Sequence, residues 1–380
     1  MSDRKRILVL GSTGSIGVQT LEMVRAHPER LEVVGLAAGR NAQALAAQAA
    51  EFEVGMLGLA DTAAAEALDM PDARIFAGTD GICELVEATE PDLVIGAISG
   101  VAGLRPLLVA LAAGIDCALA NKEPLVAAGR IVMEAARQSG ARLLPVDSEI
   151  SAIFQCLRGE RTEEVEKVLL TASGGPFARL SAEELAQVTP ERALDHPTWK
   201  MGRKVTIDSA TLANKGFEIF EVHWLFGVDV RSIEVIVHHQ SIIHSMVQLR
   251  DGSVMAQLGP PDMRMPIAFA LFYPERVAND LPRLSLAEVG SLTFATPDTE
   301  RFPCLRLAFS AARAGRSYPA VLNAANEVAV ERFLDGRVGF TRIPELIERA
   351  LTEHQAFEIH RLADVEEADA WAREYVRRLA

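Results

Sequence analysis

Across the first 150 residues, short and largely apolar runs alternate with stretches whose apolar residues recur every three or four positions. The runs at 7–10 (ILVL), 31–37, 92–98, 115–120 and 142–146 have the character of strands buried on both faces of a parallel sheet. Between them, Val18, Leu21 and Val24 mark a helix ending near His27 and Pro28, and an alanine-rich helix starts from Asn41. Further helices are predicted around 103–113 and after Glu123. This alternation implies βαβ units and a doubly wound parallel sheet. The middle of the chain differs: runs at 168–171, 234–237, 246–249 and 253–258 predict an α+β domain with a largely antiparallel sheet, whose free edge or face could pair between subunits. From 305 onward the pattern is helical again (305–314, 320–334, 343–351, 365–379), with Asp364 as the expected N-cap of the last helix and a small helical bundle as the packing solution. No internal repeat or low-complexity segment interrupts the series.

Composition narrows the class. A chain of 380 residues can bury two or three cores. A net charge of −14 excludes the basic surface that a nucleic-acid partner requires, but a local cluster of cations could still bind an anion. Cys83, Cys117, Cys156 and Cys304 form no CxxC pair, so neither a disulfide framework nor a thiolate zinc site is expected. The first apolar run is too short for a signal peptide, and none approaches the ~20 residues of a membrane span. A cytoplasmic protein without membrane or nucleic-acid partners is expected.

The first run stops at GSTGSIG, residues 11–17, before a helix. A strand, a glycine turn and a helix together form a Rossmann-like dinucleotide site, with the pyrophosphate on the helix N-terminus. NAD-binding chains usually place an acid at the end of the second strand. Here that strand ends Ala37-Ala38-Gly39-Arg40-Asn41, and a guanidinium suits the 2′-phosphate of NADPH. Asn121-Lys122-Glu123 follows the run 115–120, where ligands gather in open α/β sheets; Lys122 could meet substrate or nicotinamide, or be a solvated helix-start lysine. Ser99-Gly100 occupies an equivalent position.

Residues 196–221 (HPTWKMGRKVTIDSATLANKGFEIFE) carry an unusual polar load. Each unpaired polar group costs roughly 1–3 kcal/mol on burial, so the stretch reads as the lining of a site for a small, anionic, oxygen-rich ligand. Asp147-Ser148-Glu149, in extended backbone, would turn both carboxylates to one face. The pair is either a solvated face or, with a third acid such as Glu218 or Glu221, a site for a hard divalent ion. Ser173-Gly174-Gly175 suggests an anion nest, joined by Ser209, Asn214 and Lys215 into a phosphate cradle. Residues 196–202 have the composition of a mobile loop, in which Trp199 either closes over ligand or anchors a core.

GSTGSIG, NKE, VDSE, SGGPF, HP-W-MG, DSAT, NKG, QSIIHSM and the late NAANEVAV at 323–330 occur in an order that closely resembles the 1-deoxy-D-xylulose 5-phosphate reductoisomerase family over nearly the whole chain. The resemblance implies an NADPH- and divalent-metal-dependent oxidoreductase of isoprenoid biosynthesis, using Mg²⁺, Mn²⁺ or Co²⁺. It would isomerise and reduce 1-deoxy-D-xylulose 5-phosphate to 2-C-methyl-D-erythritol 4-phosphate and act as a homodimer. It implies Asp147, Glu149 and Glu218 as metal ligands, and Lys122 beside the reacting carbons. Ser148, Ser173, His196, Trp199, Ser209, Asn214 and Lys215 would bind substrate, with Met201 in the covering loop. Thr13, Gly14, Ser15, Ile16, Gly39, Arg40, Asn41, Asn121, Glu123, Gly202 and Met263 would contact the cofactor. Ile150 departs from the family, which usually continues DSE with His, so no proton transfer is assigned there. His244 is structural or catalytic, and Asn326-Glu327 either reaches the site or packs helices. The implied domains are 1–146 (NADPH), 147–275 (catalytic, with loop 196–202), 276–303 (linker) and 304–380 (helical). The alternatives are another NADPH-dependent dehydrogenase, such as a semialdehyde dehydrogenase with an activated cysteine, or a non-catalytic NADPH sensor.

Overall fold

The computed structural model describes residues 4–195, 199 and 201–380. The chain divides into two compact units: Met1–Pro124 with Val132–Ser151 and Asp262–Leu281, and Leu125–Ile131 with Ala152–Pro261 and Pro282–Ala380.

The chain runs β1 (Lys5–Leu10), α1 (Ser15–Ala26), β2 (Leu31–Ala38), α2 (Ala42–Phe52), β3 (Met56–Leu59), α3 (Thr62–Glu66), β4 (Arg74–Ala77) and α4 (Gly78–Thr89). It continues through β5 (Leu93–Gly96), α5 (Leu104–Ala112), β6 (Asp116–Leu119), α6 (Glu123–Ser139), β7 (Leu143–Pro145) and α7 (Ser148–Cys156). The seven strands form one parallel sheet in the order β4-β3-β2-β1-β5-β6-β7. Ile7, Leu8, Val9, Leu36, Leu57 and Ile95 are fully buried along it, as apolar runs demand in a parallel sheet. The chain moves outward from β1 to β4, then returns to the other side of β1 with β5. The switch point therefore lies where β1 and β5 end, which is where the glycine loop sits.

The second unit holds β8 (Val165–Ala172), α8 (Ala182–Leu185), α9 (Pro190–Ala193), α10 (Arg203–Thr211), α11 (Ala213–Phe226), β9 (Ile233–Val237), β10 (Ile243–Leu249) and β11 (Val254–Leu258). Its four-stranded sheet is ordered β11-β10-β8-β9, antiparallel except between β8 and β9. α12 (Arg264–Phe272) packs on α1 and β7 in the first unit. There follow α13 (Leu286–Val289), α14 (Pro303–Ala314), α15 (Tyr318–Leu334), α16 (Arg342–Glu353) and α17 (Leu362–Leu379). α15 is buried almost throughout because α14, α16, α17 and α10 all pack on it. α16 buries Ile343, Leu346, Ile347 and Ala350, one stripe at helical spacing.

Asp364 is not the N-cap of the last helix. Arg361 takes that place, and the Asp364 carboxylate reaches back from the third helical position to accept the His360 and Arg361 N–H groups at 2.8 and 3.0 Å. The acid still satisfies orphan donors at the helix start, from the other end of a capping box.

His354 sits buried among Tyr318, Phe357 and Trp371, with Nε2 2.7 Å from Ser317 Oγ. Ser317 Oγ accepts the Phe357 N–H at 3.0 Å, so its own hydrogen is free to go to the imidazole, which is then neutral. Burial lowers the pKa of this histidine below its ordinary 6.5. The unfolded chain thus takes up a proton that the folded chain refuses, and stability is unaffected above about pH 6.5 and falls as pH drops below it. Urea unfolding should lose more stability between pH 7.5 and 5.5 in the parent chain than in His354→Phe; equal losses would reject this account.

Candidate active site

β1 delivers the chain to Gly11, whose φ is +90° and where a Cβ would overlap the Ala97 carbonyl. A Cβ on Gly17 would overlap the Gly11 oxygen and the Ser12 backbone. Both positions therefore require glycine to close the turn. Gly14 is the N-cap of α1; it offers no side-chain cap, and the first turn contains no acid. The leading N–H groups of a twelve-residue helix are thus left for an anion, which fits a pyrophosphate. Gly14 and Ser15 are exposed, and Thr13 and Ile16 half-buried. Gln48 Nε2 holds the Ser12 carbonyl at 2.9 Å, while the buried Ser12 Oγ has no hydrogen-bond partner among the described residues.

At the end of β2, Gly39 and Arg40 are exposed; the Gly39 carbonyl accepts the Asp61 N–H at 2.9 Å, and the Asp61 carboxylate is engaged in capping α3, accepting the Ala64 N–H at 2.9 Å. Asn41 caps α2, its side chain accepting the Ala44 N–H at 3.1 Å. Asn121 is buried and donates to the Gly100 carbonyl at 3.3 Å, tying together the loops that follow β5 and β6. Glu123 is buried in the first turn of α6, and Met263 and Gly202 are the N-caps of α12 and α10.

The extended backbone expected for Asp147-Ser148-Glu149 is not found. Asp147 stands at the start of α7: its carbonyl accepts the Ser151 N–H at 2.8 Å and its Oδ1 the Ser148 N–H at 3.1 Å. Glu149 lies in the first helical turn, with Ser148 Oγ donating to its Oε2 at 2.5 Å. The helix N-terminus, with its unsatisfied N–H groups and positive dipole end, offsets the repulsion between the two acids. Lys122 Nζ pairs with Asp147 Oδ2 at 2.5 Å. Both Lys122 and Ser148 are buried, so the solvated-lysine reading of Lys122 is excluded. Ile150 is fully buried, which suits an apolar side chain where a proton-exchanging one would be cut off from water.

The polar stretch is more buried than expected. Thr206, Asp208, Thr211, Lys215, Glu218 and Glu221 are all inside. α10 and α11 satisfy much of this load internally: Thr206 Oγ1 donates to the Gly202 carbonyl and Thr211 Oγ1 to those of Ile207 and Asp208. Asp208 accepts from Lys204 Nζ and from Asn326 Nδ2, each at 2.8 Å. Asn326, in the NAANEVAV segment, thus braces the helix that carries Ser209, a link that periodicity could not reveal.

Leu212, with φ +61°, makes the corner into α11, which places Asn214, Lys215 and Glu218 on consecutive turns. Glu218 is 0% and Lys215 4% exposed. Asn214 Nδ2 donates to Glu218 Oε1 at 2.6 Å and Lys215 Nζ to Oε2 at 2.5 Å. Ser173 leads into Gly174 and Gly175, with φ +84° and +69°. A Cβ on Gly175 would press on the Ser209 carbonyl, so this corner lies directly against the end of α10. Half-buried Trp199 has its ring 6.4 Å from that of buried His244, while His196 lies outside the described residues. Asp147 and Glu149 in the first unit and Glu218 in the second are each carboxylates of the kind that ligate metals. Their donor set, carboxylate oxygens only, fits a hard divalent cation.

Protein-family models of 1-deoxy-D-xylulose 5-phosphate reductoisomerase match residues 7–129, and models of its C-terminal domains match 143–226 and 258–375. The reductoisomerase of Prosthecochloris aestuarii is 52% identical over 374 residues, spanning 97% of this chain and 98% of the relative. The chain belongs to the 1-deoxy-D-xylulose 5-phosphate reductoisomerase family. The Chlorobaculum tepidum reductoisomerase is likewise 52% identical, over 99% of both chains. Among solved reductoisomerases, the Zymomonas mobilis protein in complex with NADPH is 41% identical, with a TM-score of 0.91 over 99% of both chains. A reductoisomerase in complex with NADPH, fosmidomycin and magnesium is 37% identical, with a TM-score of 0.94 over 98% of both chains.

The Lys215–Glu218 pair gives a direct test of the site's electrostatics. Lys215→Met should take the ammonium from a buried carboxylate that keeps the Asn214 amide, and cost about 3–5 kcal/mol in chelator. Saturating Mg²⁺ should restore part of that loss in urea unfolding. A variant as stable as its parent in chelator would show that the pair is not needed to neutralise Glu218.

Proposed function

We propose that Asp147, Glu149 and Glu218 together hold one divalent cation, and that Ser173, Ser209, Asn214 and Lys215 hold the phosphate of 1-deoxy-D-xylulose 5-phosphate. The chain is an NADPH-dependent oxidoreductase that isomerises and reduces this sugar phosphate to 2-C-methyl-D-erythritol 4-phosphate. The observation that carries the reading is Glu218: a fully buried carboxylate within reach of both the Asn214 amide and the Lys215 ammonium.

When bound, a divalent ion supplies Lewis acidity that stabilises developing negative charge on substrate oxygens while the carbon skeleton rearranges. NADPH supplies the hydride that reduces the rearranged carbonyl. The remaining work falls to the chain. Lys122, held on Asp147, presents an ammonium beside the reacting carbons. Ser148 binds substrate beside the acids. With the Glu218 charge met by a cation, Lys215 and Asn214 can turn their donors to phosphate, which orients the substrate through a group remote from the chemistry. His196 binds substrate, and Trp199 and Met201 cover it and exclude water. Thr13, Gly14, Ser15 and Ile16 hold the pyrophosphate, and Gly39, Arg40 and Asn41 the adenosine phosphate, the last through its backbone because its side chain is engaged in capping α2. Asn121, Glu123, Gly202 and Met263 border the nicotinamide.

We further read the chain as a cytoplasmic homodimer of isoprenoid biosynthesis that accepts Mg²⁺, Mn²⁺ or Co²⁺, with a division into residues 1–146, 147–275, 276–303 and 304–380. Support for dimerisation comes from the edge strand β11, where Val254 and Met255 are 48% and 43% exposed. Support for a reducing compartment comes from four free cysteines. No helix of the described residues is long and apolar enough to cross a membrane. A cysteine-dependent dehydrogenase is disfavoured by the same thiols: burial raises the pKa of Cys83, of Cys117, of Cys156 to about 11 and of Cys304 to about 12, far from a reactive thiolate.

Glu218→Gln should keep the fold and NADPH affinity and abolish NADPH oxidation with the sugar phosphate. Absorbance at the NADPH band, followed with saturating Mg²⁺ and with chelator, measures this. Most activity retained in Glu218→Gln, or in chelator, would refute the metal assignment.

A further inference from the structure

The anion-binding promise of Ser173-Gly174-Gly175 depends on how its peptide planes face. Two successive glycines at φ +84° and +69° could flip the plane between them and the preceding serine at little cost. An imidazole prevents this. His239 Nδ1 lies 2.7 Å from the Ser173 carbonyl oxygen. A carbonyl can only accept, so Nδ1 carries the hydrogen. The ring also packs close to Gly174, where a Cβ would meet His239 Cε1 at 2.8 Å and Nδ1 at 3.1 Å.

His239 is exposed, yet the turn that presents it is firmly built. His238 N–H donates to the Ala172 carbonyl at 2.7 Å, and His238 Nδ1 to that of Thr293 at 2.8 Å. Its Nε2 accepts the Ile242 N–H at 3.3 Å, so both ring nitrogens of His238 are used. Gln240 donates to the Ser291 carbonyl at 2.7 Å and accepts from Thr293 N and Oγ1 at 3.0 Å each. Ser241, at φ +50°, closes the turn. The side chain aimed at Ser173 therefore stands on a braced support.

In a trans peptide the C=O and the following N–H point in opposite directions. Pinning the Ser173 oxygen on His239 therefore aims the Gly174 N–H away from the imidazole. Gly174 is buried, and among the described residues no acceptor takes this N–H. Gly175 presses on the Ser209 carbonyl, so the corner and the end of α10 form one wall. We infer that His239 is a positioning residue for phosphate: through Nδ1–H it fixes the Ser173–Gly174 peptide so that the Gly174 N–H joins Ser173 and Ser209 as a donor to the substrate's phosphate group. This rests on the reading of those serines as the phosphate cradle.

The test uses the full-length enzyme with Mg²⁺ and NADPH, and reads KM for the sugar phosphate and Ki for inorganic phosphate. His239→Ala should raise both by about three- to tenfold, the scale of one hydrogen bond, with KM rising by more than kcat falls. His239→Asn carries its amide nitrogen at the position of Nδ1 and should return both constants to within about twofold of the parent. His239→Gln, whose nitrogen sits one atom further out, should behave like His239→Ala. Unchanged constants in His239→Ala, or equal impairment in the Asn and Gln variants, would overturn the proposal. Ser209→Ala separates the two levels: if it weakens phosphate while His239→Ala does not, only the positioning role falls; if Ser209→Ala leaves phosphate binding unchanged, the cradle falls and the positioning role with it.

Discussion

A carboxylate removed from water has to be neutralised, and Glu218 is the most completely buried acid of the site. Taking an ion of this size into a protein interior costs several kcal/mol even after relaxation, so partners must be built into the same helix. α11 provides them at three and four residues' spacing: Lys215 and Asn214 lie one turn before Glu218 and engage both of its oxygens. Asp147 is treated in the same way by Lys122, and Glu149 by the Ser148 hydroxyl at a helix N-terminus. Each acid of the proposed metal site thus has a donor that holds it before any cation arrives.

This arrangement has a consequence for ligand binding. The ammonium and amide on Glu218 are two of the four groups assigned to phosphate. A cation that takes over the charge of Glu218 leaves them available, so metal and phosphate should bind cooperatively, with neither site complete alone. The surrounding structure stiffens these groups: Lys204 and Asn326 clamp Asp208 next to Ser209, and the Gly174–Gly175 corner rests on the end of α10. Such support is what a site needs if its donors are to be positioned to within a fraction of an ångström.

The parallel sheet was largely legible from apolar runs, because the central stretches of β1, β2, β5 and β6 are largely buried and read as mostly apolar strings. β3 and β4 were not: each has four residues, Gly58 dilutes one, and the ends of the other, Arg74 and Ala77, are exposed at the sheet edge. Asp147 and Glu149 were singled out on an extended backbone that the structure does not have, since two carboxylates separated by one residue can stand at a helix start as well as on a pleat. The polar density of 196–221 pointed to chemistry, but periodicity could not show that Thr206 and Thr211 spend their hydroxyls on their own helices. Asn326 and His239 were illegible for a different reason. Their partners, Asp208 and Ser173, are 118 and 66 positions away, and only the folded chain brings them together.

The most direct test of the account is calorimetric titration of the protein with a short phosphonate carrying a hydroxamate, whose two oxygens can grip an ion while its phosphonate occupies the cradle. With saturating Mg²⁺ the account predicts tight binding, and with chelator a loss of affinity of at least about a hundredfold, the equivalent of ~2.7 kcal/mol of coupling between ion and ligand. Undiminished affinity in chelator would contradict it.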